Sequence, residues 1–518
     1  MILILPQNLD LASHVQKYPP DKYGIVSFKD DIAGYIVSLI YSIPGRNKEL
    51  ADKVKDGFIP LNAQMLQNQC GRDYLQYLRY LLHTGILETD NYFVSSKSSQ
   101  KAPKSRGFRL SEIYRAQPII CKTITDKILR RKLLKDLKIN SSPEFSHLIK
   151  WLGYSSKLTI DLPAALNYLH ERRRFLILNP QHRDEKWKTE IIKGRPTKTS
   201  KPKDPVNQYE HAFGNAHSIH QKAIYSLIDD SVGRLHTPLT NIKSELRRFI
   251  KHGDETLVSI DLKNSQPYLS NIFFNPYFWS SQKSAKKYDN IDFNLIKATF
   301  NLLLTSNHKQ TKTSNNKYTK QPINSPTPLI ILEEIRQLIE NEYFINARSQ
   351  EEPDISQYRN LISNGELYGF LKDQFSVHLG DAFKSKRAVK GIVFTVFFTD
   401  NRFQDDTKKL FHKLFPMVTK MFEMIKRKDS TLLPRLLQSI ESYLFLQVIT
   451  KKIASKYPYI PLYTIHDSIV TTERYVSTVR KYMIEELTKH IGIPPTLEEE
   501  IWCPSKLSNE KGEYKFVA

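Results

Sequence analysis

The sequence predicts an α+β fold of about three domains, at the usual ~150 residues each. Three observations carry that expectation. The chain has 518 residues, 40% apolar and 11% aromatic, enough for a sizeable core. Two runs read as strands: TLVSID, ending at Asp261, and Tyr463 to Thr471, which alternates apolar and polar residues. Helical spacing recurs elsewhere, at Arg72 to His83 and at Lys386 to Phe398.

Charge narrows the partner. Lys and Arg number 77 against 54 Asp and Glu, a net +23 with a pI near 9.5. Such a balance calls for an anionic polymer, most often nucleic acid. Anionic membrane is the rival, but no basic amphipathic helix is clear enough to favour it. No apolar run approaches 18 residues, so no membrane span is expected. The opening MILILPQNLD has no basic n-region and is not read as a signal peptide. Cys70, Cys121 and Cys503 are scattered, without zinc-ligand spacing, and suit a reducing, cytoplasmic setting. No GxxxxGK[ST] motif supports P-loop chemistry.

In chain order, residues 1–115 form the first expected domain. Leu61 to Asn68 has helical composition and stops near Gly71. Arg72 to His83 follows with Leu75, Leu78 and Leu82 on one helical face, and Gly85 ends it. TDNYFVSS and GFRLSEIY then read as a two-stranded hairpin around a basic tip, Lys97 to Arg106. Helix, turn, helix, hairpin is the order of a winged helix, which would bring the second helix to a groove and the tip to phosphate. A small helical packing domain without DNA contact is the alternative. Three stretches low in apolar residues read as linkers: Ser95 to Gly107, Lys193 to Pro205 and Ser306 to Pro328. Residues 116–230 carry two basic runs, Leu129 to Asp136 and Glu171 to Phe175, which suit either a duplex backbone or a solvated surface.

Three sites carry chemistry. Asp261 ends a strand, where metal ligands tend to sit, although the same residue could simply cap a following helix. Lys386, Lys390, Phe394 and Phe398 recur every four residues, so a helix would line two cations and two aromatics along one stripe. That suits a triphosphate and a base, or merely an amphipathic helix. His466-Asp467 lies between hydrophobic flanks, where a tight turn would expose the carboxylate; alone, the pair is weak. Two aspartates meeting on one sheet could hold two divalent metals.

These residues resemble the family A polymerases, the Klenow-type DNA polymerases and the related phage single-subunit RNA polymerases. The resemblance covers about residues 231 to 475 and follows the family's motif order. Ser231-Val-Gly-Arg-Leu-His is similar to the TGR motif, so the resemblance assigns Arg234 to the primer-template. It makes Asp261 and Asp467 the metal aspartates. The Lys386 to Phe398 stripe becomes the fingers helix, with Lys390 as its catalytic cation. Lys386 and Lys390 would meet the triphosphate and Phe394 the incoming base. Leu437-Gln-Ser-Ile-Glu441 is similar to the helix whose Gln, here Gln438, contacts primer-template. His466 would lie near the primer end.

The resemblance implies a right-hand polymerase: an antiparallel palm sheet with helical fingers and thumb, behind the winged-helix-like domain. It implies a thumb-like region at 116–230 and a palm at 231–518 with fingers at about 272–430. The cofactor is two Mg²⁺ ions, and the partners are DNA primer-template and dNTPs. The departures concern the sugar. The spacing after Asp261 is D-x-x-x-S-Q, which leaves Gln266 or Tyr268 to take the place of the Glu that blocks a ribose 2′-OH. The last motif reads HDS, as in the RNA enzymes. Phe398 stands where Tyr is usual, which favours deoxynucleotides, and Thr399 replaces the Gly that follows it. No D-x-E precedes Asp261, so no proofreading is expected. A DNA-directed RNA polymerase, untemplated addition, and a winged-helix DNA-binding protein with a degenerate polymerase domain are the alternatives. The combination suits a phage, plasmid or mobile-element replication system, or a defence system.

Overall fold

The computed structural model describes residues 2–46, 57–93, 105–115, 117–136, 143–153, 155–192, 195–222, 226–229, 231–279, 334–344 and 352–504. The chain divides into two compact units: residues 1–140, 152–225 and 237–253 form one, and residues 141–151, 226–236 and 254–518 the other. None of the five breaks between them falls at the expected 115/116 boundary. Strand β1 (Ile2–Pro6) pairs antiparallel with Ile119–Thr123, Ile4 opposite Cys121, and this ladder ties the start of the chain to residues beyond that expected boundary.

In the first unit, α1 (Asp30–Arg46) buries Ala33, Ile36, Val37 and Ile40. Their i, i+3, i+4, i+7 spacing forms one stripe, packed on β1 and on helix Pro205–His220. Then come β2 (Ile59–Pro60), α2 (Ala63–Cys70), α3 (Tyr74–His83), β3 (Leu87–Thr89) and β4 (Gly107–Leu110). The strands form a three-stranded antiparallel sheet in the order β2-β4-β3. Asn62 caps α2 by accepting from the Met65 N–H, and Gly71, at φ +89°, turns the chain between the helices. The hairpin strand is Leu87–Thr89 rather than TDNYFVSS. Residues 97–104 of its expected tip lie outside the described residues, as does the linker expected at 306–328.

The buried face of α3 differs from the leucine stripe. Leu75 is half exposed, and Tyr77, Leu78, Tyr80 and Leu81 form the core face. The tyrosines fit because their hydroxyls find backbone partners: Tyr80 donates to the Tyr18 carbonyl (2.8 Å), and Tyr77 accepts from the Lys29 N–H (2.8 Å). A second correction concerns residues 193–205. Strand β5 (Glu185–Ile192) pairs along its whole length with β6 (Arg195–Pro202), so most of that expected linker is half of a hairpin. Low apolar content does not prevent a two-stranded ribbon, whose partners are backbone groups, and the threonines of β6 favour extended backbone. Two helices complete this unit's core, α4 (Leu162–Leu178) and α5 (Pro205–His220), packed against each other.

In the second unit, β7 (Glu255–Leu262), β8 (Tyr463–Ile465), β9 (Ser468–Thr472) and β10 (Leu497–Ile501) form an antiparallel sheet in which neighbours run β8-β9-β7-β10. Helix Val476–Ile491 packs on it. Short α6 (Ser265–Ser270) follows β7. Residues 352–456 are mostly helical and include α7 (Leu367–Leu379), α8 (Lys386–Phe398) and α9 (Leu432–Tyr443). A broad apolar core joins sheet and helices, with Ile260, Tyr268, Phe273, Tyr358, Phe422 and Leu437 among its fully buried members. Among the described residues, no helix is long and apolar enough to cross a membrane.

Candidate active site

Asp261 and Asp467 meet on the sheet of the second unit. In the β7–β9 ladder Asp261 stands opposite Ser468, one residue after Asp467, and the Leu262 N–H donates to the Asp467 carbonyl at 3.2 Å. The His466-Asp467 turn links β8 to β9, with Ile465 opposite Ser468. Asp261 lies within a strand and caps nothing. Asn264 holds the N-cap position of α6 instead.

Both turns carry a non-glycine residue in the left-handed region, His466 at φ +52° and Asn264 at φ +55°. That conformation costs about 1 kcal/mol or more and is kept where surrounding structure enforces it, often at a functional site. The rings of His466 and His236 lie edge to face with centroids 6.4 Å apart.

The expected exposure of the Asp467 carboxylate does not hold. Burial pushes its pKa up to about 6, and the nearby charge of Asp261 adds to the rise, while the Ser265 hydroxyl beside it pulls the other way. Ser468 donates its hydroxyl to Asp261 Oδ1, fixing that side chain's orientation. Tyr368, at the start of α7, lies in the field of Asp467; burial first, and then that charge, hold its hydroxyl proton on to about pH 12.

A third carboxylate stands beside the pair. Glu441 on α9 is 2% exposed, accepts from Arg234 Nη2 at 2.8 Å and from Nε at 3.2 Å, and accepts from Gln266 Nε2 at 3.0 Å. Burial pushes its pKa up to about 7; Arg234 opposes the rise, and Asp467 adds to it. Arg234 is presented by a tight turn between the short strands Leu227–Ile228 and Leu235–His236, where Gly233 takes φ +73°. Glu441 extends the Leu433, Leu437 spacing along the buried face of α9. A charged residue on such an apolar stripe is a sequence signal for a buried polar role, and Glu441 was not among the expected site residues. Gln438, on the same helix, is half-buried.

Tyr268 is excluded from a sugar-facing role. It is fully buried, and its hydroxyl donates to the Ile493 carbonyl at 2.7 Å. Gln266 remains, with Nε2 held by Glu441 and a buried Oε1 that has no hydrogen-bond partner among the described residues. Both amide atoms of Asn264 are in the same condition. Unmet buried polar atoms cost about 1–3 kcal/mol each, and a cluster of them beside Asp261 suits a site built for a polar ligand.

Helix α8 forms over Lys386–Phe398 as its spacing predicts, capped by Ser385, whose hydroxyl accepts from the Ala388 N–H at 3.1 Å. It buries Val389, Ile392, Val393, Val396 and Phe397 and leaves Lys390 exposed and Phe394 61% exposed. The rings of Phe394 and Phe398 stack at 4.9 Å and 8°. Lys426, buried, closes the helix by donating to the carbonyls of Val396 (2.6 Å) and Thr399 (3.2 Å). Both α8 and α6 pack on α9, so one helix supports the stripe, the segment after Asp261, and Glu441.

The aspartate pair fits a hard divalent cation. Among the described residues, no group of three or more His, Cys, Asp or Glu is arranged to hold a metal ion alone. Magnesium is commonly bound through one or two carboxylates completed by water and substrate phosphates, and two apposed like charges gain from a cation between them.

No family model matches the chain, and no curated protein matches it. Among solved structures, it is similar to the POL domain of Pol1 from M. smegmatis in complex with DNA primer-template and dNTP, over 72% of this chain and 73% of that chain, at 11% identity and a TM-score of 0.28. At that identity and score the similarity assigns nothing, and function has to be read from the side chains.

Proposed function

We propose that this chain is a nucleotidyltransferase of the family A type: a template-directed DNA polymerase that extends a primer from dNTPs without proofreading. The observation that carries the reading is the apposition of Asp261 and Asp467 at adjacent register positions, in motif order with Arg234, the α8 stripe and Gln438. The primer 3′-hydroxyl attacks the α-phosphorus in line; the new O–P bond forms as the bond to pyrophosphate breaks. Two Mg²⁺ ions held through Asp261 and Asp467 would supply charge neutralisation at the attacking and leaving oxygens. Ser468 orients the Asp261 carboxylate, and the Ser265 hydroxyl lies near Asp467. Lys390, with Lys386 on the same helix, neutralises the triphosphate, and Phe394 stacks on the incoming base. Arg234 and Gln438 hold primer-template, with His466 beside the primer end.

The HDS motif gives little support to an RNA polymerase here, because Ser468 commits its hydroxyl to Asp261. Phe398 offers no hydroxyl to a ribose 2′-OH. Incorporation of dNTPs and rNTPs on one primed template tests the choice, and a clear rNTP preference would overturn the DNA reading.

A second reading concerns residues 59–110. Two helices against a three-stranded sheet, with Arg72 and Arg79 exposed on or beside α3, support a winged-helix-like module that places α3 against DNA. Arg79→Ala in the full chain should weaken binding to duplex, read by fluorescence anisotropy; unchanged affinity would count against it.

A further inference from the structure

The two basic runs within residues 116–230 end in opposite conditions. In the run Glu171 to Phe175 on α4, Arg172 pairs with Glu245 at 3.3 Å, and Arg173 is buried with its guanidinium over the Tyr209 ring, 5.3 Å from the centroid. In the other run, helix Lys127–Asp136 turns Lys127, Arg130 and Arg131 to solvent. At about 100° per residue these three share one face, opposite Leu129 and Leu133, which are buried. The helix packs on α2, where Lys132 donates to the Gln69 carbonyl at 3.2 Å.

Among the described residues, none of the three exposed side chains has an ion-pair or hydrogen-bond partner. The carboxylates at the start of the helix are committed elsewhere. Asp126 pairs with Lys29 at 2.7 Å and accepts from the Leu129 N–H at 2.7 Å, and Asp31 accepts from the N–H groups of Thr125 and Asp126. Lys127 lies three and four positions before Arg130 and Arg131, so like charges face one another along one turn. They also stand at the end of the helix where the backbone dipole disfavours cations. Stability does not explain such an arrangement, whereas an external polyanion does. Of the helix's described apolar side chains only Ile128 is exposed, which leaves little to enter a bilayer, and the helix has no aromatic residue to stack an unpaired base. Lys127 to Arg131 covers about 6 Å of helix axis, and a duplex carries one charge per ~1.7 Å, so several phosphates fall within reach of the three cations.

We infer that helix Lys127–Asp136 is a sequence-independent contact for the phosphate backbone of duplex nucleic acid. The inference rests on the reading of DNA as the partner but not on nucleotidyl transfer or on the docking of α3. Full-length protein is titrated against two labelled DNA duplexes of unrelated sequence over a range of KCl, without divalent cation or dNTP. Arg130→Gln combined with Arg131→Gln should weaken binding to both by about tenfold or more at about 0.1 M KCl, and reduce the slope of log affinity against log salt by about 2. Lys127→Gln alone should reduce the slope by about 1. Arg402→Gln combined with Lys481→Gln removes the same charge from exposed cations already paired with Asp400 and Glu485, and should leave the slope as in the wild type. The melting temperature of the Arg130, Arg131 variant should hold or rise, since its loss relieves like-charge repulsion, so that weaker binding is not unfolding. Unchanged slopes in the helix variants overturn the inference, and an equal fall in the paired-cation control does so too, because the effect would then be net charge alone. Loss of binding to phosphatidylserine vesicles without loss on duplex would assign the face to membrane and overturn it equally. A wild type that binds with these slopes but extends nothing would count against the polymerase and leave this contact standing.

Discussion

Asp467 sits one residue before the position opposite Asp261 in the central antiparallel pair, and the charge of Asp261 adds to the cost of ionising Asp467. In the absence of a cation the pair is a local liability, which is the condition of a site organised around an ion rather than around its own packing. That relationship has consequences for stability as well as for activity.

The first is a pH dependence in protein stripped of divalent cations. The folded state keeps a proton on Asp467 up to about pH 6, whereas the ordinary value is 3.8, and on Glu441 up to about pH 7 against 4.5. Between those values the folded state binds more protons than the unfolded, so both contributions to stability are full at low pH and are lost as pH rises through 6 and 7. Asp467→Asn should remove the first step, leaving the variant more stable at pH 7.5 by on the order of 2 kcal/mol while abolishing extension. Urea midpoints across pH 4 to 8 for wild type and variant give the difference curve; a flat one contradicts the account.

Arg234 and Glu441 should behave as a coupled pair. Arg234→Met leaves a buried carboxylate without its cation and should destabilise by about 3 kcal/mol. Combining it with Glu441→Gln should recover most of that loss, because no unpaired charge remains, while primer-template affinity stays low. A double-mutant cycle on unfolding free energies measures the coupling, and additive effects would show that the ion pair is not what holds the turn.

Lys390 and Phe394 are exposed on α8, so truncating them should leave stability within about 0.5 kcal/mol of wild type. Lys390→Ala and Phe394→Ala should instead raise the KM for dNTP, each by about tenfold or more. Steady-state single-nucleotide incorporation beside a thermal melt separates the two effects. A fall in melting temperature with unchanged KM would make the stripe merely structural.

His466 holds a left-handed conformation that β-branched residues resist. His466→Gly should be tolerated in stability, and His466→Val should cost about 1–2 kcal/mol. Chemical denaturation of the two variants checks the order; Val at least as stable as Gly would show that the turn is not strained.

The sequence made the local elements legible where a short-range signal existed. The α8 stripe, the strand that carries Asp261 and the His466-Asp467 turn all follow from spacing and turn chemistry. Long-range relationships were less accessible. The burial of Asp467 depends on what packs around a turn, and the Glu441–Arg234 pair joins residues far apart in the chain. The leucine stripe of α3 does not mark its core face, because Tyr77 and Tyr80 are buried with their hydroxyls bonded to backbone while Leu75 is half exposed. The lysine- and threonine-rich β6 resembled a linker because polarity says nothing about whether a neighbouring strand supplies hydrogen bonds.

The central claim is that Asp261 and Asp467 jointly serve templated nucleotide addition. The most direct measurement is extension of a labelled primer on a defined template with Mg²⁺ and dNTPs, comparing wild type with Asp261→Asn and Asp467→Asn, each shown to be folded. Template-dependent extension by the wild type, and a loss of at least about a thousandfold in both variants, is the predicted result. Extension that survives either substitution, or a folded wild type that extends nothing, would contradict it.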